Sequence, residues 1–169
     1  MKNLLIIAGL ILLGWLLGGY QNSSAIHDYS GHPTLRDGDS FELEGFEIRL
    51  YGIDAPELHQ TCERDGKEYD CGKQARRFLQ KLIGNNLVNC IEEEIDRYDR
   101  IIAECSVNEK DIAAEIVRAG WAISYLSFAS PYLKEEAEAE AEKRGLWAGD
   151  FEEPNEYRRN DPWKNFTFW

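Results

Sequence analysis

The chain has 169 residues, 43% of them hydrophobic, and carries 31 Asp and Glu against 19 Lys and Arg, a formal net charge of −12. That is mass for one domain with a real core, and the acidic balance argues against a broad basic face that grips nucleic acid phosphates. It leaves room for a site in which acids gather a cation locally.

Leu4 to Leu17 is apolar apart from Gly9 and Gly14, follows Lys2, and leads into Gln21-Asn22-Ser23-Ser24-Ala25. The run is short of the ~20 residues that span a bilayer, and Ser23 and Ala25 are small residues at the positions read for cleavage after Ala25. Residues 1–25 are therefore an export signal, cleaved or, with Gly18, Gly19 and Tyr20 lengthening it, kept as an outward-facing anchor. The expected location is extracytoplasmic, with the membrane touched only through an uncleaved segment. Residues 26–150 are expected as the folded domain and 151–169 as an aromatic tail packed on it.

His27 to Pro33 reads as an irregular lead-in. Phe41 and Leu43 then alternate with acids, Glu44-Gly45 turns the chain, and Phe46, Ile48 and Leu50 alternate with Glu47, Arg49 and Tyr51. This is a hairpin with Arg49 off the core face, ended by Pro56, which lacks a donor for a ladder. Gly72 to Ile83 is a helix with Ala75, Phe78, Leu79, Leu82 and Ile83 on one stripe and Gly84-Asn85 as its stop. Its outer face carries Lys73, Arg76, Arg77 and Lys81, a solvated face or a track for phosphates.

Leu87–Cys90 and Ile101–Cys105 flank a polar turn centred between Arg97 and Tyr98, a register that sets Cys90 opposite Cys105 unless a bulge intervenes. Cys62 and Cys71 then close a small loop rich in Asp, Glu and Gly. Two disulfides suit an exported chain; a zinc site built from these cysteines and His59 is the rival, but the spacing matches no C-x2-C pattern. Asp111 or Asn108 caps a second helix burying Ile112, Ala113, Ile116 and Val117 and ending at Gly120. Ser130-Pro131 opens a third, ending at Gly145, with Leu133, Ala137 and Ala141 inward and Glu135, Glu136, Glu138, Glu140 and Glu142 as a solvated acidic face. In the tail, Phe151, Tyr157, Arg158, Arg159, Trp163, Phe166, Phe168 and Trp169 are expected to wrap onto the domain.

The chemistry-bearing residues are Asp37-Gly38-Asp39-Ser40, Arg49, Asp54-Ala55-Pro56-Glu57 and Arg97-Tyr98-Asp99-Arg100. Asp39 and Asp54 are hard oxygen ligands suited to calcium, Glu57 lies near enough to orient a water, and two arginines can brace a phosphoryl group. Asp37 and Ser40 are read as supporting residues, and taken alone Asp37-Gly38-Asp39 is an ordinary tight turn, since Asp and Gly tolerate positive φ.

Leu35–Ser40, Ile48–Glu57, Asp96–Arg100, Val117–Ala122 and Arg144–Trp147, in that order, resemble the staphylococcal nuclease (thermonuclease) family. The resemblance implies an α+β fold, a five-stranded OB-type β-barrel packed with three α-helices, following the N-terminal export segment. It implies one calcium ion held by Asp39, Asp54 and the Ala55 carbonyl, and catalysis by Arg49, Glu57 and Arg100. The substrates it implies are DNA or RNA, cut to leave 3′-phosphate ends by a monomer. Ser40 and Ala55 stand where threonine is frequent in the family, and Asp99 where glycine is usual. An acid beside Arg100 is expected to draw the guanidinium away from phosphate. With the acidic charge, Asp99 favours the alternative reading, a catalytically weak OB-fold binding module on the outer membrane face.

Overall fold

The structure, a computed structural model, describes residues 27–125 and 131–160. The export segment, the Ser130 cap and the aromatic residues from Trp163 onward lie outside the described residues. Among the described residues no helix is long and apolar enough to cross a membrane.

Among the described residues eleven strands run β1 Asp28–Gly31, β2 Thr34–Leu35, β3 Ser40–Leu43, β4 Phe46–Leu50, β5 Ile53–Asp54, β6 Cys62–Arg64, β7 Lys67–Tyr69, β8 Val88–Ile95, β9 Ile101–Val107, β10 Lys110–Asp111 and β11 Ile123–Ser124. The described α-helices are α1 Cys71–Ile83, α2 Ile112–Arg118, α3 Leu133–Ala141 and α4 Pro154–Asn160. The main sheet has the order β1-β8-β9-β4-β3-β2, with β10 on β9. Its two edge strands, β1 and β2, are separated in sequence only by His32 and Pro33. With ~3.8 Å per residue step, that link forces the opposite edges of the sheet together. The sheet is therefore curled into a half-barrel, in keeping with the expected OB-type α+β fold.

The stretch read as an irregular lead-in is β1, paired antiparallel from Asp28↔Ile91 to Gly31↔Val88. It has no hydrophobic alternation because its side chains stay on the edge, so periodicity cannot reveal it. The β3–β4 hairpin forms as expected, with Glu44 (φ 53°) and Gly45 (φ 86°) in the left-handed turn. Phe41, Ile48 and Leu50 are buried, but Phe46 lies outward, half exposed, its ring edge-on to Tyr29.

Helix α1 buries Ala75, Leu79 and Ile83 as its stripe predicts, and α2 buries Ile112, Ala113, Ile116 and Val117. Asp111 is the cap, its Oδ1 accepting from the Ala114 N–H, while Asn108 sits in a left-handed turn. Helix α3 departs from expectation: Leu133, Ala137 and Ala141 are exposed and Ala139 is buried. The inner face is instead set by polar pairing, since Arg118 bonds Glu115 and Glu135, and Glu136 accepts from the Ser124 N–H. Burial raises the Glu136 carboxyl pKa.

Both disulfides have the expected partners, Cys62–Cys71 and Cys90–Cys105. No thiolate remains for zinc. Cys90 does pair with Cys105 in register, yet β8 carries a bulge between Glu92 and Glu94. The bulge lies between the cysteine pair and the turn, and it offsets a turn that closes one half-step later than the sequence symmetry suggests.

Candidate active site

The site is assembled around neighbouring strands. Asp37 Oδ1 accepts from the Asp39 N–H (3.0 Å), the Ser40 N–H (2.8 Å) and the Ser40 hydroxyl (2.8 Å), a local turn that fixes where Asp39 begins. Gly38 is required there, because a Cβ would stand 2.8 Å from the Cβ atoms of both Ala55 and Ala75. The next pair in the ladder is Ser40↔Arg49, so the Arg49 side chain rises beside Asp39.

Arg49 then bridges two acids. Its Nη1 donates to Asp39 Oδ1 (3.2 Å), and its Nη2 lies 3.1 Å from Asp39 Oδ2 and 2.6 Å from Asp54 Oδ1. Asp39 Oδ2 also accepts from the Ala55 N–H at 2.9 Å, tying the turn to the segment after β5. Asp39 is 2% exposed and Asp54 0%, far too buried for carboxylates unless paired. Burial holds the Asp39 carboxyl well above the usual carboxylate range despite the opposing Arg49 charge, and Asp37 and Asp54 push it the same way. Burial also works against the Arg49 charge, but Asp39 and Asp54 outweigh it and raise the guanidinium above its ordinary value.

Glu57 follows Pro56 in a loop seated on the start of α1. The Gln60 N–H donates to the Glu57 carbonyl (2.8 Å), the Glu57 N–H to Gln60 Oε1 (3.2 Å), and the Gly72 N–H to the Gln60 carbonyl (3.2 Å). Only glycine fits at position 72, since a Cβ would lie 1.8 Å from the Glu57 carbonyl oxygen.

The residue missed by sequence reasoning is Arg158, on α4. Its Nη1 donates to Asp54 Oδ1 and to Glu57 Oε1, both at 2.9 Å, and its Nη2 to Asp54 Oδ2 at 2.8 Å. Asp54 and Glu57, expected to act together, are thus one nitrogen apart. The guanidinium is half buried; burial opposes its charge, and the two acids raise its pKa regardless. The overlooked signal was a charge count: Asp39, Asp54 and Glu57 are three acids, for which Arg49 alone is too little.

Arg100 precedes β9, whose Ile102 pairs with Arg49, so alternation places it along the same face. Asp99 does not capture it. Asp96 does, accepting from Arg100 Nε (2.9 Å) and lying 2.7 Å from its Nη2, while the Tyr98 ring packs beneath the guanidinium. Asp99 takes the left-handed conformation that glycine favours, with φ 62°.

Among the described residues no group of three or more His, Cys, Asp or Glu side chains is arranged to hold a metal ion. Asp39 and Asp54 still form an oxygen-only pair drawn together in the interior, chemistry that fits a hard cation completed by backbone and water oxygens. The fit needs Asp54 released from Arg158.

The model of the family described as staphylococcal nuclease homologue matches residues 47–149. The match takes in Arg49, Asp54, Glu57 and Arg100; Asp39 precedes it and Arg158 follows it. A probable staphylococcal-like nuclease of Oryza sativa subsp. japonica is 30% identical over 148 residues, 83% of this chain and 38% of the plant protein. A probable endonuclease of Botryotinia fuckeliana is 30% identical over 150 residues, 76% of this chain and 53% of the fungal one. An uncharacterized endonuclease of Haemophilus influenzae is 29% identical over 135 residues, 75% of this chain and 71% of its own. The chain thus spans 38% of the plant relative and 53% of the fungal one.

Proposed function

As the chain belongs to the family of staphylococcal nuclease homologues, we propose that it hydrolyses phosphodiester bonds of nucleic acid. The observation that carries this reading is the convergence of Asp54 and Glu57 on one guanidinium nitrogen, beside an Arg49 framed by Asp39 and Asp54. A place that accepts a cation between those carboxylates is what a phosphate-cleaving site requires.

Asp39, Asp54 and the Ala55 carbonyl would hold a calcium ion, which when bound supplies Lewis-acid polarisation of a phosphate oxygen. Arg49 offers a planar fork to phosphate oxygens and balances the charge that builds on the phosphoryl group. Glu57, carried on the loop that Gln60 and Gly72 position, orients the attacking water and takes a proton from it. Arg100 braces the same charge once its guanidinium is shared between Asp96 and substrate. The water oxygen bonds to phosphorus as the P–O5′ bond breaks, the 5′ oxygen leaves and takes up a proton from solvent, and the phosphate stays on the 3′ end. The substrates are DNA or RNA outside the cytoplasm, reached by a monomer exported through residues 1–25, with 26–150 as the nuclease domain and 151–169 as its tail.

The test is cleavage of DNA and of RNA by the purified full-length chain, with calcium and then with excess chelator. Calcium-dependent cleavage leaving 3′-phosphate ends is expected. Full activity in chelator removes calcium from the reading. No cleavage in either condition favours the second reading, a binding module, for which the net charge of −12 and the pairing of Arg158 with both Asp54 and Glu57 speak.

A further inference from the structure

We propose that α4 is a built-in inhibitor: Arg158 competes with the divalent cation for Asp54 and with water for Glu57, and the site opens when the tail helix leaves. The inference rests on the reading of Asp54 as a cation ligand and Glu57 as the water-orienting group.

Three observations support it. The first is occupancy. Arg158 takes both oxygens of Asp54 in a two-point contact and one oxygen of Glu57. A guanidinium in that position and a divalent cation on the same carboxylate repel each other, and the Glu57 oxygen that accepts from Arg158 is both occupied and made less basic toward a water. The second is charge. With Arg158 in place, three carboxylates face two guanidiniums; with it withdrawn, the set Asp39, Asp54, Glu57 and Arg49 carries a net −2, the complement of a divalent cation.

The third is the mounting. Helix α4 has seven residues, too few to be stable alone, so it exists by docking. Upstream of it the chain is anchored firmly: Glu63 and Asp150 exchange two backbone hydrogen bonds at 2.8 Å, and the Trp147 and Phe151 rings meet edge to face. Nearer the helix, Gln60 Nε2 donates to the Glu152 carbonyl at 2.8 Å while its Oε1 accepts from the Glu57 N–H. One buried side chain therefore touches both the tail and the Glu57 loop, so the two respond to each other. Arg158 also lies beyond residues 47–149, the span that matches the family.

The test is calcium titration calorimetry on the full-length wild type and Arg158→Gln, with amide hydrogen exchange read across residues 154–160. Arg158→Gln is expected to bind calcium at least tenfold more tightly. Calcium is expected to speed exchange in the wild-type helix. Equal affinity within twofold and unchanged exchange overturn the inference and leave the calcium reading standing. Weaker binding in the variant overturns it too, making Arg158 a supporting partner of the site. If neither protein binds calcium, the inference and the calcium reading fall together. Should Arg158→Gln not fold, by circular dichroism, Arg158→Lys decides: lysine keeps the charge without the fork, and at least a threefold gain in affinity is expected, with none overturning the inference.

Discussion

Replacing Arg49 by methionine removes the body's own countercharge from two interior acids, and the structure allows the cost to be gauged. Three ion-pair contacts of 2.6 to 3.2 Å disappear, made to side chains that are 3% and 0% exposed. Breaking one partner out of a buried ion pair costs ~3–5 kcal/mol, because the surviving charge is left desolvated. Asp54 keeps Arg158, so the penalty falls mainly on Asp39, which retains the Ala55 N–H. The low end, about 3 kcal/mol, is therefore expected, a fall in Tm of about 10 °C for a domain this size. Urea unfolding followed by tryptophan fluorescence in chelator measures it. The control is Arg36→Met, which loses only a surface contact to Glu47 and should change stability by less than ~0.5 kcal/mol. An Arg49→Met chain as stable as the control would refute the claim that Arg49 makes the buried acids tolerable. Arg49→Lys separates charge from shape. It should keep most of the stability yet lose about a hundredfold in kcat/KM, because an ammonium cannot give the two-point contact to phosphate.

Gly72→Ala forces a Cβ to within 1.8 Å of the Glu57 carbonyl, so the Glu57 loop must shift; kcat should fall about a hundredfold while the circular dichroism spectrum is kept, and unchanged kinetics would show the loop is not part of the site. Asp96→Ala loses hydrogen bonds from the Tyr98 and Arg100 N–H groups and from Arg100 Nε, for an expected loss of ~1–2 kcal/mol at neutral pH. Partial burial works against the Asp96 carboxylate, but Arg100 and the backbone N–H groups outweigh it and hold its pKa below the usual value. Its contribution is thus full above the unfolded value of ~3.9 and lost as pH falls through the lower folded value, so the gap to wild type should close in acid melts below about pH 4. Asp99→Gly relieves a left-handed φ of 62° without touching the Arg100–Asp96 pair. Its Tm should stay the same or rise, and kcat/KM at low salt should stay within threefold of wild type; a larger rise would mean Asp99 does restrain Arg100.

What the sequence revealed and what it hid divide along sequence separation. Asp37, Asp39, Arg49, Asp54 and Glu57 are legible because alternation, turn residues and one proline put them on strands and the turns flanking them within 21 residues. Helix α1 is legible because its apolar stripe is the only face that can be buried. The β8–β9 register is legible at Cys90 and Cys105 although the turn was centred half a residue early, since the bulge at Glu92/Glu94 compensates. Helix α3 misled because Arg118 supplies its inward polar partner from another helix, and a hydrophobicity stripe carries no trace of a polar interface. Arg158 was hidden most completely. It reaches Asp54 across 104 positions, and an arginine in an aromatic tail looks like any solvated charge until the acids it answers are counted together.

The two guanidiniums on Asp54 differ in how they are held. Arg49 is carried on a strand paired on both sides, antiparallel to Ser40 and parallel to Ile102, so its backbone cannot move without opening the sheet. Arg158 is carried on a seven-residue helix near the end of the described chain. When another cation competes for Asp54, the weaker mounting yields first, because displacing it costs docking contacts and no strand pairing. The site then keeps Arg49 in place, beside Asp39 and close to where phosphate would lie, and gives up the cation that blocks Glu57. On a chain with net charge −12, an exchangeable arginine also keeps three clustered acids from repelling one another whenever no divalent cation is bound.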